Sequence, residues 1–169
     1  LASNDGHLTD DGELLKEKLL ALLESHLPDK VMAKALLEAA TKDAIEQDKR
    51  IIVQETAMWC EPCHLLTRFL KENPVWQEDF VLVKTDHRFE GAREIMQEIR
   101  AGAGGGIPRY AILDEKGKPL VTSNRPEDED NIGYPSSETG IAHFKSMLMQ
   151  TRKRLTEVQI ESLAQKLAE

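Results

Sequence analysis

Cys60 and Cys63 are the only two cysteines of the chain, and they stand three apart in the run Trp59-Cys60-Glu61-Pro62-Cys63-His64. Two thiols at that spacing, on the first turn of a helix, can act one after the other. The unpaired N–H groups and the positive dipole end of a helix N-terminus stabilise a thiolate. A cysteine held there has a lowered pKa and becomes a nucleophile near neutral pH. Cys60 is in that position. Cys63, one turn on, is placed to attack a mixed disulfide formed at Cys60. Pro62 falls where its missing N–H costs little. The spacing therefore gives an attacking thiol and a resolving thiol, the parts of thiol–disulfide exchange.

Other chemistries use parts of this pattern. Cys-x-x-Cys-His is also the c-type haem attachment sequence. That reading needs His64 as an iron ligand and a haem-sized apolar pocket, and it leaves Trp59, Pro62 and the later Ile107-Pro108 pair unexplained. A zinc site would want a third and a fourth ligand at matching spacing, and none is found. A purely structural disulfide over so short a loop would constrain almost nothing. His64 is one helical turn after Cys60, where it either stabilises the thiolate or is a solvated helix residue. His7, His26, His87 and His143 are scattered and carry no pattern.

The elements that must position the pair follow from periodicity. Residues 1–12 are polar and read as a tail. Leucines 15, 19, 22 and 23 recur at helical spacing up to Leu27, and Pro28 ends that segment. A second helix is expected from Asp29 to Gln47, with Val31, Leu36, Leu37, Ala40, Ala44 and Ile45 inward. Ile51–Thr56 is β-branched and predicts a strand running into the cysteine motif. A helix follows to about Lys71, then a strand at 80–85 and a helix at 92–100. Gly102 and Gly104–Gly106 break the pattern. Arg109–Leu113 and Pro119–Ser123 read as a hairpin, with Pro119 favouring an edge strand. Residues 124–136 form an acidic loop, and 137–152 a helix. Thr156 with Gln159 fits a capping box, and Leu155 with Ile160 a hydrophobic staple, opening a last helix. A parallel β-α-β unit followed by an antiparallel hairpin argues an α/β fold, a mixed sheet flanked by helices.

Composition narrows the function. The chain has 169 residues, 40% hydrophobic and 31% charged, which supports a packed core. Lys and Arg number 22 against 30 Asp and Glu, a net charge of −8. A chain this acidic is a poor match for a phosphate backbone, so no nucleic-acid partner is expected. No stretch reads as a membrane span. The chain opens Leu1-Ala2-Ser3 without an initiator Met. A removed secretory signal or a trimmed boundary accounts for that. A periplasmic or secreted location is expected, with the cytoplasm as the alternative.

Trp59-Cys60-Glu61-Pro62-Cys63 after a strand, with Gly106-Ile107-Pro108 before the next one, resembles the thioredoxin superfamily. The likeness covers roughly residues 35–152, leaving 1–34 as an N-terminal tail and helical extension and 153–169 as an extra C-terminal helix. Asn131-Ile132-Gly133-Tyr134-Pro135 resembles the longer, extracytoplasmic bacterial members. The resemblance implies a thioredoxin-like fold and a protein thiol–disulfide oxidoreductase. It implies Cys60 as nucleophile, Cys63 as resolving thiol, and Pro108 as a cis proline packed beside them. Ile107 would offer backbone hydrogen bonds to an extended substrate, and Trp59 would flank the groove. The redox-active Cys60–Cys63 disulfide would be the only cofactor. Partners would be protein thiols or disulfides and an upstream redox protein, with a monomer as the default state. Glu61 places negative charge beside Cys60, which favours a reducing or intermediate potential. The alternative is a non-catalytic binding module that presents the acidic loop Glu127–Asp130 and the groove at Ile107.

One departure bears on mechanism. Thioredoxins carry a buried Asp six residues before the first cysteine, and Gln54 stands there. The lysine that accompanies that Asp aligns with Leu82. Glu55, next along, points to the other face of a regular strand. It is either a displaced proton carrier or a carboxylate at the rim.

Overall fold

The computed structural model describes residues 31–100 and 103–168, and from Val31 onward the chain forms one compact unit. The helix expected at 13–27 and the start at Asp29 lie outside these residues. The order is α1 (Ala33–Gln47), β1 (Arg50–Thr56), α2 (Glu61–Glu72), a short 3-10 turn (Pro74–Glu78), β2 (Phe80–Asp86) and α3 (Ala92–Arg100). Then come β3 (Arg109–Leu113), β4 (Pro119–Thr122), α4 (Glu138–Thr151) and α5 (Glu157–Leu167). The 3-10 turn had no signal in the hydrophobic periodicity.

The four strands lie in the order β2-β1-β3-β4. β1 and β2 are parallel, β3 is antiparallel to β1, and β4 is antiparallel to β3. This is the mixed, helix-flanked sheet of a thioredoxin-like α/β fold. Pro119 begins the edge strand β4, where an absent N–H is tolerated.

Alternation along β1 divides the core. Ile52 faces Leu66, Leu70, Phe144 and Leu148 of α2 and α4, and α5 adds Ile160 and Leu163. Ile51 and Val53 face Ala40, Ala44, Met96 and Ile99 of α1 and α3. α1 meets the sheet through small side chains. Ala40 and Ala44 are buried as expected and Ala33 joins them, whereas Val31, Leu36 and Ile45 are exposed, contrary to the sequence expectation. The stripe 33–37–40–44 is the helical face that allows the closest approach, and the larger residues fall outside it.

Register places Gln54 opposite Lys84 on β2 and opposite Tyr110 on β3, while Leu82 stands opposite Ile52. Lys84 is therefore the β2 residue directly beside Gln54, with Leu82 two positions back along the strand. The C-terminal helix is fastened by Asp79, which is fully buried. Its carboxylate accepts the backbone N–H groups of Lys153, Arg154 and Leu155 at 2.7–2.9 Å. The Thr156–Gln159 capping box then starts α5.

Candidate active site

β1 runs into a turn in which Cys60 N–H donates to Ala57 O at 3.0 Å, and α2 begins directly after it. Cys60 is the N-cap residue. Its Sγ accepts the N–H of Cys63 at 3.2 Å, so a helix-terminal donor points at the sulfur. Its carbonyl accepts from Cys63 N and His64 N at 3.1 and 3.2 Å. Glu61 and Pro62 occupy the first helical positions and are exposed. Cys60 and Cys63 are joined in a disulfide with their Cα atoms 5.3 Å apart. The residues are 2% and 0% exposed. Cys60 differs from Cys63 by its N-cap position far more than by access to solvent.

Across from the pair, the Ile107–Pro108 peptide bond is cis. Ile107 packs against Ala57, Cys60 and Cys63. Asn131, from the acidic loop, holds this segment: its Nδ2 donates to Gly106 O and Pro108 O, both at 2.9 Å. Its Oδ1 accepts from Ser123 Oγ at 2.7 Å, and Ser123 Oγ accepts Tyr110 N–H at 3.0 Å. Arg109 is buried and donates to Ala103 O at 2.7 Å and to Gly104 O. Burial, then the charge of Arg100, pushes the Arg109 pKa down, opposed by Glu55. Gly105 has φ +108°, and a Cβ there would come within 2.8 Å of Arg109 Nη2. Only glycine suits both constraints.

The remaining site residues divide by exposure. Trp59 is 75% and Met58 64% exposed, forming an apolar lip beside the disulfide. His64 is exposed, with Nε2 2.9 Å from Met58 O. Gln54 is fully buried beneath α2, and its Nε2 donates to Cys63 O at 3.4 Å. Its Oε1 and the Tyr110 hydroxyl have no hydrogen-bond partner among the described residues. Both residues line one small internal cavity with Leu66 and Phe144. Burial pushes the Tyr110 pKa up.

Glu55 does face the other side of the sheet, but the rim position is corrected: its side chain is 4% exposed. Oε1 lies 2.9 Å from His87 Nε2, and Oε2 pairs with Arg100 Nη2. A carboxylate on that face is covered by α3, whose last residue supplies the guanidinium. The Glu55 carbonyl lies 3.9 Å from Cys63 Sγ. His87 N–H donates to Thr56 O at 3.0 Å, and its ring meets Trp59 edge-on with centroids 6.2 Å apart. His87, Arg100 and Asn131 were missed at the sequence level. The one available signal was that a carboxylate on a central strand must find a partner. Among the described residues, no group of three or more His, Cys, Asp or Glu is placed to hold a metal ion.

The sequence matches the Thioredoxin-like family over residues 32–115, a span holding both the cysteine pair and the cis-proline segment. Over that stretch, just under half of its length, the chain is thioredoxin-like. Three solved structures align with parts of the chain. Disulphide isomerase from Xylella fastidiosa Temecula1 superposes with a TM-score of 0.47 at 18% identity, covering 85% of this chain and 97% of that one. Oxidised thioredoxin O2 from Arabidopsis thaliana gives 0.44 at 18% identity, over 73% and 94% of the two chains. A DsbH oxidoreductase gives 0.43 at 21% identity, over 65% and 79%. No curated protein matches this thioredoxin-like chain in sequence.

Proposed function

We propose that this thioredoxin-like chain is a protein thiol–disulfide oxidoreductase working through Cys60 and Cys63. The observation that carries the reading is the disulfide at the N-terminus of α2 with Ile107 of the cis-proline segment packed against it. In the reduced form, Cys60 thiolate attacks one sulfur of a substrate disulfide. The substrate S–S bond breaks, a Cys60–substrate mixed disulfide forms, and the displaced substrate sulfur takes up a proton. Cys63 then loses its proton and attacks Cys60 Sγ, releasing the second substrate thiolate, which is protonated in turn. The substrate gains two electrons and two protons, and the Cys60–Cys63 disulfide is restored. The reverse sequence oxidises a dithiol.

The helix-terminal N–H on Cys60 Sγ stabilises negative charge there, while Glu61 opposes it. We assign a reducing or intermediate potential on that balance. Trp59, Met58 and Ile107 supply the surface for a polypeptide substrate, and Pro108 holds Ile107 in place. The pair needs no cofactor besides itself, and an upstream redox protein resets it. His64 is occupied at Met58 O and the two sulfurs are bonded to each other, which supports the dithiol reading over haem attachment. An extracytoplasmic location completes the reading, by the likeness of Asn131–Pro135 to the longer members, and cell fractionation tests it. Among the described residues no helix is long and apolar enough to cross a membrane.

Insulin reduction with dithiothreitol tests the activity. Wild type should accelerate precipitation of the insulin B chain, and Cys60→Ser should abolish the acceleration. A wild-type rate equal to dithiothreitol alone would overturn the proposal.

A further inference from the structure

β2 is an outer strand of the sheet. Its inner side follows the parallel register with β1, and the ladder continues to His87, whose N–H donates to Thr56 O. Backbone directions alternate along a strand. Counting back from His87, the N–H and C=O groups of Thr85, Val83 and Val81 face β1, and those of Leu82 and Lys84 face outward. Among the described residues, no other strand pairs with that outer edge.

The same stretch walls a groove of about 480 Å³. Leu70, Trp76, Phe80 and Leu82 give it an apolar side. Lys49, Lys71 and Lys84 also line it, with no Asp or Glu among the lining residues. None of the three lysines forms an ion pair or side-chain hydrogen bond among the described residues. Burial pushes the Lys84 pKa down, as expected for an ammonium without a counter-charge. The neighbouring pocket, which shares Lys49 and Gln77, carries Glu72 and Glu78. Lys49 lies between the two, and Lys71 and Lys84 carry the positive charge that meets no carboxylate within the groove at the open edge, in a chain of net charge −8.

We propose that this edge docks an extended acidic segment of a partner protein, which adds a strand along Leu82 and Lys84 and sets its carboxylates against Lys49, Lys71 and Lys84. Backbone pairing supplies affinity in such strand addition, and alternate side chains supply selectivity. A second copy of this chain is the poorer occupant, because two β2 edges would bring lysines together. The groove lies toward the Phe80 end of β2, whereas the cysteine pair follows the opposite end of β1, at Thr56. A docked segment therefore leaves the disulfide open.

The test uses the full oxidised chain and a blocked nonapeptide of alternating Glu and Val, followed by NMR. Binding should shift the Leu82 and Lys84 amides and slow their hydrogen exchange. Raising salt from about 25 mM to about 300 mM should weaken it, as screening requires. Replacing Glu by Lys, or placing a proline at the peptide's centre, should weaken binding by about tenfold or more, since charge and strand pairing both contribute. Lys71→Glu, on an exposed position of α2, should do the same with an unchanged circular dichroism spectrum. No binding, shifts confined to other residues, or indifference to the central proline would overturn the proposal. The lysines would then serve only to keep the edge from self-pairing. Protection of both amides in the free protein would also overturn it. Light scattering would then separate a second copy from the chain's own residues 1–30.

Discussion

The Glu55 carboxylate meets the His87 imidazole beside the cysteine motif, with Oε1 2.9 Å from Nε2. The contact joins three layers of the site. Arg100 closes the buried side of the carboxylate, and His87 carries the edge of Trp59 on the exposed side. Glu55→Ala leaves Arg100 without its counter-charge. A fully buried pair broken in this way loses ~3–5 kcal/mol. Arg100 and His87 each keep 25% of their side-chain surface exposed, so a smaller loss of about 2 kcal/mol is expected. Urea unfolding of wild type and Glu55→Ala measures it, and equal midpoints would show that the cluster contributes nothing.

Gln54 leaves the buried face under Cys63 without a carboxylate. The thiolate absorbance of the reduced protein should therefore follow one dominant ionisation, that of Cys60. Gln54→Asp should add a second, coupled step near neutrality, because a thiol and a buried carboxylate titrate as a pair. Burying that carboxylate costs about 1–3 kcal/mol of stability, less what pairing with Lys84, its neighbour in register, returns. Two coupled steps already present in wild type would show that another acid, Glu55 first, handles the Cys63 proton.

Asn131 is the link between the acidic loop and the cis-proline segment. Asn131→Ala removes both of its bonds to the carbonyls of Gly106 and Pro108. The expected cost is about 0.5–1.5 kcal/mol, the usual net worth of a hydrogen bond, because water still reaches the Gly106 carbonyl and part of the Pro108 one. Insulin reduction should slow through a raised KM with the reduction potential unchanged. A changed potential with an unchanged KM would contradict this role.

How much of this was legible in the sequence depends on the range of the interaction. The strand–Cys60-x-x-Cys63–helix unit and the Thr156 cap are local, so residue type and spacing were enough. The inward face of α1 was read only in part: Ala40 and Ala44 were placed on it, but side-chain size, read without the sheet, added Val31, Leu36 and Ile45 to it. The Glu55–Arg100 pair spans 45 residues and the Asn131–Gly106 contact 25. Such contacts exist only once the chain has folded, and no periodicity announces them. Asp79 shows the same: its three backbone donors lie at positions 153–155.

Asp86 gives a pH dependence of known sign. Arg88 hydrogen-bonds both carboxylate oxygens, at 2.8 and 2.9 Å, and holds the Asp86 pKa below its ordinary value despite burial. A carboxylate depressed on folding contributes stability above its unfolded pKa of about 3.9 and loses it as pH falls through the folded value. Wild type should thus be more stable than Asp86→Asn near neutrality, and the difference should shrink as pH falls below the ordinary carboxylate range. Urea midpoints of both proteins across that range check it; a difference that grows on acidification would reverse the sign.

Covalent trapping tests the central claim most directly. Cys63→Ser keeps the attacking thiol and removes the resolving one, so exchange should halt at the mixed disulfide. Incubated with insulin and examined by non-reducing mass spectrometry, Cys63→Ser should carry an insulin chain on Cys60 that dithiothreitol releases. Cys60→Ser should carry none. A folded Cys63→Ser protein that forms no adduct, or an adduct found on Cys60→Ser instead, would contradict the assignment of Cys60 as the nucleophile.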